Sequence, residues 1–99
     1  MIILDYENNI LSVVSETENI MNDMLLSGFH SVQMSTLERI KSLESAYSKL
    51  NMQTGAELIL QLYNELNKRR NSFEYNINNI TKIFCKLEFY IRNASEKIN

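Results

Sequence analysis

The side chains that carry most chemistry near neutral pH are scarce here: one histidine, His30, and one cysteine, Cys85, in 99 residues. Histidine is the usual acid-base group and metal ligand in that pH range. The E-x-x-H pair of helical di-iron proteins, the H-E-x-x-H zinc helix, paired C-x-x-C and the EF-hand loop are all absent. His30 therefore reads as a turn residue. A nucleophilic cysteine needs an exposed, activated thiolate, whereas the neighbours Phe84, Leu87 and Phe89 predict that Cys85 is packed in apolar surroundings. Two isolated glycines, Gly28 and Gly55, leave no phosphate-cradling loop, and G-x-S-x-G is missing too. The carboxylates of Glu16, Glu18, Glu38, Glu44, Glu57 and Glu65 fall at surface positions of the expected helices, where charge keeps a protein in solution. These residues predict a protein that is not an enzyme and has no cofactor, metal or small-molecule substrate.

The sharpest local feature is basic. Lys68, Arg69 and Arg70 are consecutive, and Lys82 and Lys86 follow at helical distance. Such a patch binds phosphates in nucleic-acid regulators, which is one alternative function for this chain. Against it stands a sequence pI near 5.4, so nucleic acid is not the expected partner. Arg69 and Arg70 have a structural use as well, pairing with Glu38 or Glu44 across a turn centred on residues 51–55. Charge is also unevenly spread: residues 1–30 hold five acids and neither lysine nor arginine. That asymmetry suits an acidic first helix lying on more basic later ones, or a basic partner.

The elements that must position these groups are helical. Ile3, Tyr6, Ile10, Val13, Thr17, Ile20 and Met24 recur at spacings of three and four, and Leu4, Leu11, Val14, Met21 and Leu25 widen the seam. A first helix so broadly apolar needs at least two neighbours. It is expected to end at Ser27-Gly28, where glycine accepts the left-handed conformation. Ser35-Thr36-Leu37-Glu38 has capping-box spacing and predicts the start of a second helix, with Leu37, Ile40, Leu43, Tyr47 and Leu50 inward. A third opens near Thr54 to Ala56, burying Ile59, Leu62, Tyr63 and Leu66.

Beyond Asn67 two solutions stay open. Asn71-Ser72-Phe73-Glu74 can cap a new helix, yet Ile59, Leu66, Phe73, Ile80 and Leu87 hold one heptad frame that no proline or glycine interrupts. Ile77, Ile80, Ile83, Phe84, Leu87, Tyr90, Ile91 and Ala94 form the most apolar face. The fold class is therefore all-α, an antiparallel bundle of three to four helices in a single domain over residues 1–99, the alternative being a long kinked helical hairpin.

A chain of about one hundred residues with a central turn between helical halves resembles the WXG100 proteins and related small helical partners of type VII secretion. The resemblance is architectural. The turn reads Leu50-Asn51-Met52-Gln53-Thr54-Gly55 without Trp-x-Gly, and no tyrosine is followed four residues later by Asp or Glu. It implies a secretion-system partner as a further alternative and transfers no functional residue.

The leading expectation is a non-enzymatic accessory or adaptor protein that binds a protein partner, or a second copy of itself, through apolar helix faces. Leu4, Leu11, Met21, Leu25, Ile83 and Tyr90 are the expected interface. The apolar start Met1-Ile2-Ile3-Leu4 is too short for a signal-peptide core, and no stretch reaches the ~18 apolar residues of a membrane span. A lone thiol fits a reducing compartment, so the expected location is the cytoplasm, away from membranes.

Overall fold

The computed structural model describes the backbone over residues 5–28, 32–71 and 77–98, and side chains over residues 8–28, 32–68 and 78–96. Four helices account for nearly all of it: α1 (Asp5–Ser27), α2 (Met34–Lys49), α3 (Gln53–Asn71) and α4 (Ile77–Ile98). Each packs on the next in sequence, and α4 closes the ring against α1. Short connections between side-by-side helices make the neighbours antiparallel, so this is an up-down-up-down bundle.

The apolar spacing explains the packing. In α1, Val14, Thr17, Ile20, Met21 and Met24 are buried; their arc is wide because α1 meets α2 on one side and α4 on the other. Leu37, Ile40, Leu43 and Tyr47 line the inside of α2, and Ala56, Ile59, Leu62 and Leu66 that of α3. In α4, Ile80, Ile83, Phe84, Leu87 and Ile91 are buried while Lys82, Cys85, Lys86 and Phe89 face outward. All the buried apolar residues belong to one cluster. Burying a side chain of this size contributes about 1.5–3 kcal/mol each, so the core outweighs any single surface contact.

Both described turns are built from backbone. The Gly28 amide bonds the Met24 carbonyl at 2.8 Å with φ of 82°, ending α1 where expected. After α2, the Met52 amide reaches the Tyr47 carbonyl at 2.9 Å and the Asn51 amide reaches Ser48 at 3.1 Å. Those two bonds define a Schellman motif, with Asn51 at φ 60° in the left-handed position that glycine usually takes.

One local expectation needs correction. Ser35 does not cap α2: the helix begins at Met34, Gln33 occupies the cap position without a side-chain bond, and the Leu37 amide bonds the Gln33 carbonyl at 3.1 Å. Ser35 is thus already inside the first turn, beyond the place from which a hydroxyl caps. Of the two solutions open beyond Asn67, the bundle of three to four helices forms and the long helix from 56 to 98 does not, because α3 ends at Asn71 and packs against α4. Folding back gives both apolar faces a partner, which a continuous rod denies them. Asn71 consequently closes α3, and Ser72, Phe73 and Glu74 lie outside the described residues. The four helices among the described residues form the bundle rather than the long kinked hairpin kept as the alternative fold.

Candidate functional site

Polar groups inside the bundle are structural. The Thr17 hydroxyl, 1% exposed, lies 2.7 Å from the Val13 carbonyl and 2.7 Å from the Tyr47 hydroxyl. Thr17 has one proton; donating it to Val13 leaves Tyr47 to donate to Thr17, which satisfies both hydroxyls. Burial pushes the Tyr47 phenol up to about 12, as expected when the charged form is denied water. The Tyr47 ring meets Tyr90 edge to face at 6.3 Å. Both rings press on α3 at Gly55, where a β-carbon would stand 2.7 Å from each.

Charged groups join the helices outside. Arg39 of α2 bridges to Glu16 at 2.9 Å and Asp23 at 3.2 Å, both on α1. These hydrogen bonds hold the guanidinium pKa above its usual value. Lys41 lies 5.3 Å from the centre of the Tyr63 ring, linking α2 to α3. Among the described residues, no group of three or more His, Cys, Asp or Glu converges to hold a metal ion, and no helix is long and apolar enough to cross a membrane.

Two grooves flank α4. The first, between α1 and α4, has Met21, Leu25, Phe84 and Ile91 along it and Glu18, Glu88, Arg92 and Glu96 at its rim. Arg92 pairs with Glu88 at 2.9 Å, and Glu18 and Glu96 join no ion pair among the described residues. The second, between α3 and α4, collects Lys68, Lys82 and Lys86 with Gln61, Asn64 and Asn79. Lys68 pairs with Glu65 at 3.2 Å. The two flanks of one helix thus carry opposite charge.

The expected interface residues are dispersed by the fold. Leu25 is 62% exposed. Met21 and Ile83 are buried in the core, Leu11 is half-buried, Tyr90 packs against Tyr47, and Leu4 lies outside the described residues. Of the basic run, Lys68 reaches a groove together with Lys82 and Lys86, while the side chains of Arg69 and Arg70 are outside the described set. Glu44 pairs with Lys41 at 3.1 Å, and the expected pairing of Arg69 or Arg70 with Glu38 or Glu44 lies outside the described residues. Cys85 is exposed, not packed. Its aromatic neighbours in sequence misled: Phe84 turns inward, and Phe89, one helical turn on, is itself 66% exposed. His30 lies outside the described residues.

Sequence reasoning missed the exposed Leu26, Met34 and Phe89. For Phe89 a signal existed, since it stands two residues from both Leu87 and Ile91, on the face opposite the seam. The chain matches no protein-family model, no curated protein and no solved structure.

Proposed function

We propose that the chain is a non-enzymatic helical accessory protein that holds a protein partner along the groove between α1 and α4. The supporting observation is Leu25, which leaves 62% of its surface open beside Met21, Phe84 and Ile91 although its helix has neighbours on both sides. A large apolar side chain left open beside buried apolar neighbours, within a charged rim, is what helix-accepting surfaces offer. On this reading the protein is cytoplasmic, and its work is recognition rather than catalysis.

Position-specific photocrosslinking in the native host tests it. A benzophenone amino acid replaces Asn22, exposed in the groove, or Glu57, exposed on α3. The expected outcome is a discrete protein adduct from position 22 that position 57 does not give. Equal adducts from both positions, or none from position 22, defeat the proposal.

A second reading, a nucleic-acid-binding regulator, is favoured by the meeting of Lys68, Lys82 and Lys86 in the α3–α4 groove. It requires duplex binding that weakens with salt, the log-log slope falling by about 0.9 for each phosphate contact removed when Lys68, Arg69 and Arg70 are neutralised.

A further inference from the structure

The α1–α4 groove has a length and a charge, and together they specify an occupant. Along α4 it runs from Phe84 to Glu96, and along α1 from Glu18 to Leu25. At about 1.5 Å per residue these stretches measure roughly 18 Å and 10 Å, the span of two to three helical turns. Met21 and Leu25 are one turn apart on α1, while Phe84 and Ile91 are two turns apart on α4. Leu25, 62% exposed, is the open apolar side chain, and Met21, Phe84 and Ile91 (5%, 8% and 3% exposed) form the floor beside it. A third helix resting there seats one apolar side chain against Leu25 and runs its stripe along that floor. At the rim, the Glu88–Arg92 pair neutralises itself, and Glu18 and Glu96, one on each wall, join no ion pair among the described residues.

We infer that this groove receives a short amphipathic helix of a partner protein whose apolar stripe is flanked on both sides by lysine or arginine. The inference rests on the proposed function and adds the chemistry of the partner. Two basic flanks are needed because Glu18 and Glu96 stand on opposite walls. Complementary rim charge governs encounter and selection among similar helices, and the apolar floor supplies adhesion.

Two fluorescein-labelled 18-residue peptides supply the test. Both carry leucine at i, i+4, i+7 and i+11; one has lysine at the flanking positions and the other glutamate. Fluorescence anisotropy at low salt is expected to give at least tenfold tighter binding of the lysine peptide, a preference that shrinks as salt rises. Leu25→Asp abolishes binding of both, and Glu18→Lys with Glu96→Lys reverses the preference. These three sites are exposed, so circular dichroism is expected to show an intact bundle in each variant. Equal affinity for the two peptides overturns the inference, as do absence of binding at 100-fold protein excess and a preference untouched by the double reversal. Light scattering that finds a dimer broken by Leu25→Asp assigns the groove to a second copy instead, which also overturns it. Crosslinking from position 22 is independent of the peptides: an adduct there with no lysine preference keeps the proposed function and removes only this inference.

Discussion

Gly55 shows how one missing atom decides the packing of three helices. Alanine there raises helix propensity by up to about 1 kcal/mol, yet its methyl meets two aromatic rings at 2.7 Å, the buried Tyr47 and the half-buried Tyr90. Because Tyr47 is fully buried and locked to Thr17, its ring has nowhere to withdraw. Overpacking of this kind costs about 1–3 kcal/mol, so Gly55→Ala is expected to lower the urea midpoint despite better propensity. Unchanged or higher stability refutes the close approach. Tyr47 itself gives the protein an alkaline limit. Its folded pKa, raised to about 12 from an ordinary 10.0, means that the folded state favours the neutral phenol. That contribution, about 2–3 kcal/mol, is complete below pH 10 and disappears as pH climbs through 12. Stability measured by denaturant titration is expected to fall over this window in the wild type and to fall less in Tyr47→Phe. At neutral pH the phenylalanine variant loses about 1 kcal/mol, since Thr17 retains its bond to Val13. Neither residue was legible as special in the sequence. Thr17 was readable as a seam position, but its partner thirty residues away was not, because periodicity reports which face is buried and not what it meets.

At the scale of elements, helix identity was legible wherever apolar residues kept a spacing of three or four, as in α1 from Val14 to Met24 and α4 from Ile80 to Ile91. Ends were legible when a backbone need coincided with a residue type, as at Gly28. They were obscure when geometry alone decided: Gln33 starts α2 with no side-chain cap although Ser35 has the better cap chemistry. Ile59, Leu66, Ile80 and Leu87 of the heptad frame are all buried, but two helices facing each other bury them as well as one long helix does. Asn51 illustrates a terminus held by an imperfect residue. Its left-handed backbone costs asparagine less than most residues but more than glycine. Asn51→Gly is expected to raise stability by about 0.5–1 kcal/mol, and Asn51→Val to lower it by at least 1 kcal/mol. Thermal melts of the pair check both, and a stabilising valine contradicts the Schellman assignment. The Arg39 bridges between α1 and α2 matter less, because all three side chains are partly exposed, from 40% to 56%; such pairs contribute about 0–1 kcal/mol each.

At the scale of the whole molecule, the four-helix ring changes what the apolar residues mean. A sequence with two broad apolar faces suggested more greasy surface than one short chain conceals. Closing the four-helix ring conceals most of it among the described residues, where Met21 and Ile83 are core and scattered positions such as Leu25 and Phe89 stay open. Recognition then depends on grooves between helices, which require knowledge of neighbours that no periodicity contains. The same ring sets how quickly the molecule assembles. Three of its four helix joints connect consecutive segments, and only the seam of α1 with α4 awaits the distant end of the chain. Loop-closure entropy is accordingly low at every stage but the last. With no proline in the sequence, no slow peptide-bond isomerisation intervenes. Refolding followed by stopped-flow or temperature jump is expected to finish within microseconds to milliseconds in one exponential; a phase lasting seconds contradicts that local order of assembly. Speed of this kind shortens the interval during which the aliphatic stripes of α1 and α4 lie bare in water, before the last joint hides them from other chains.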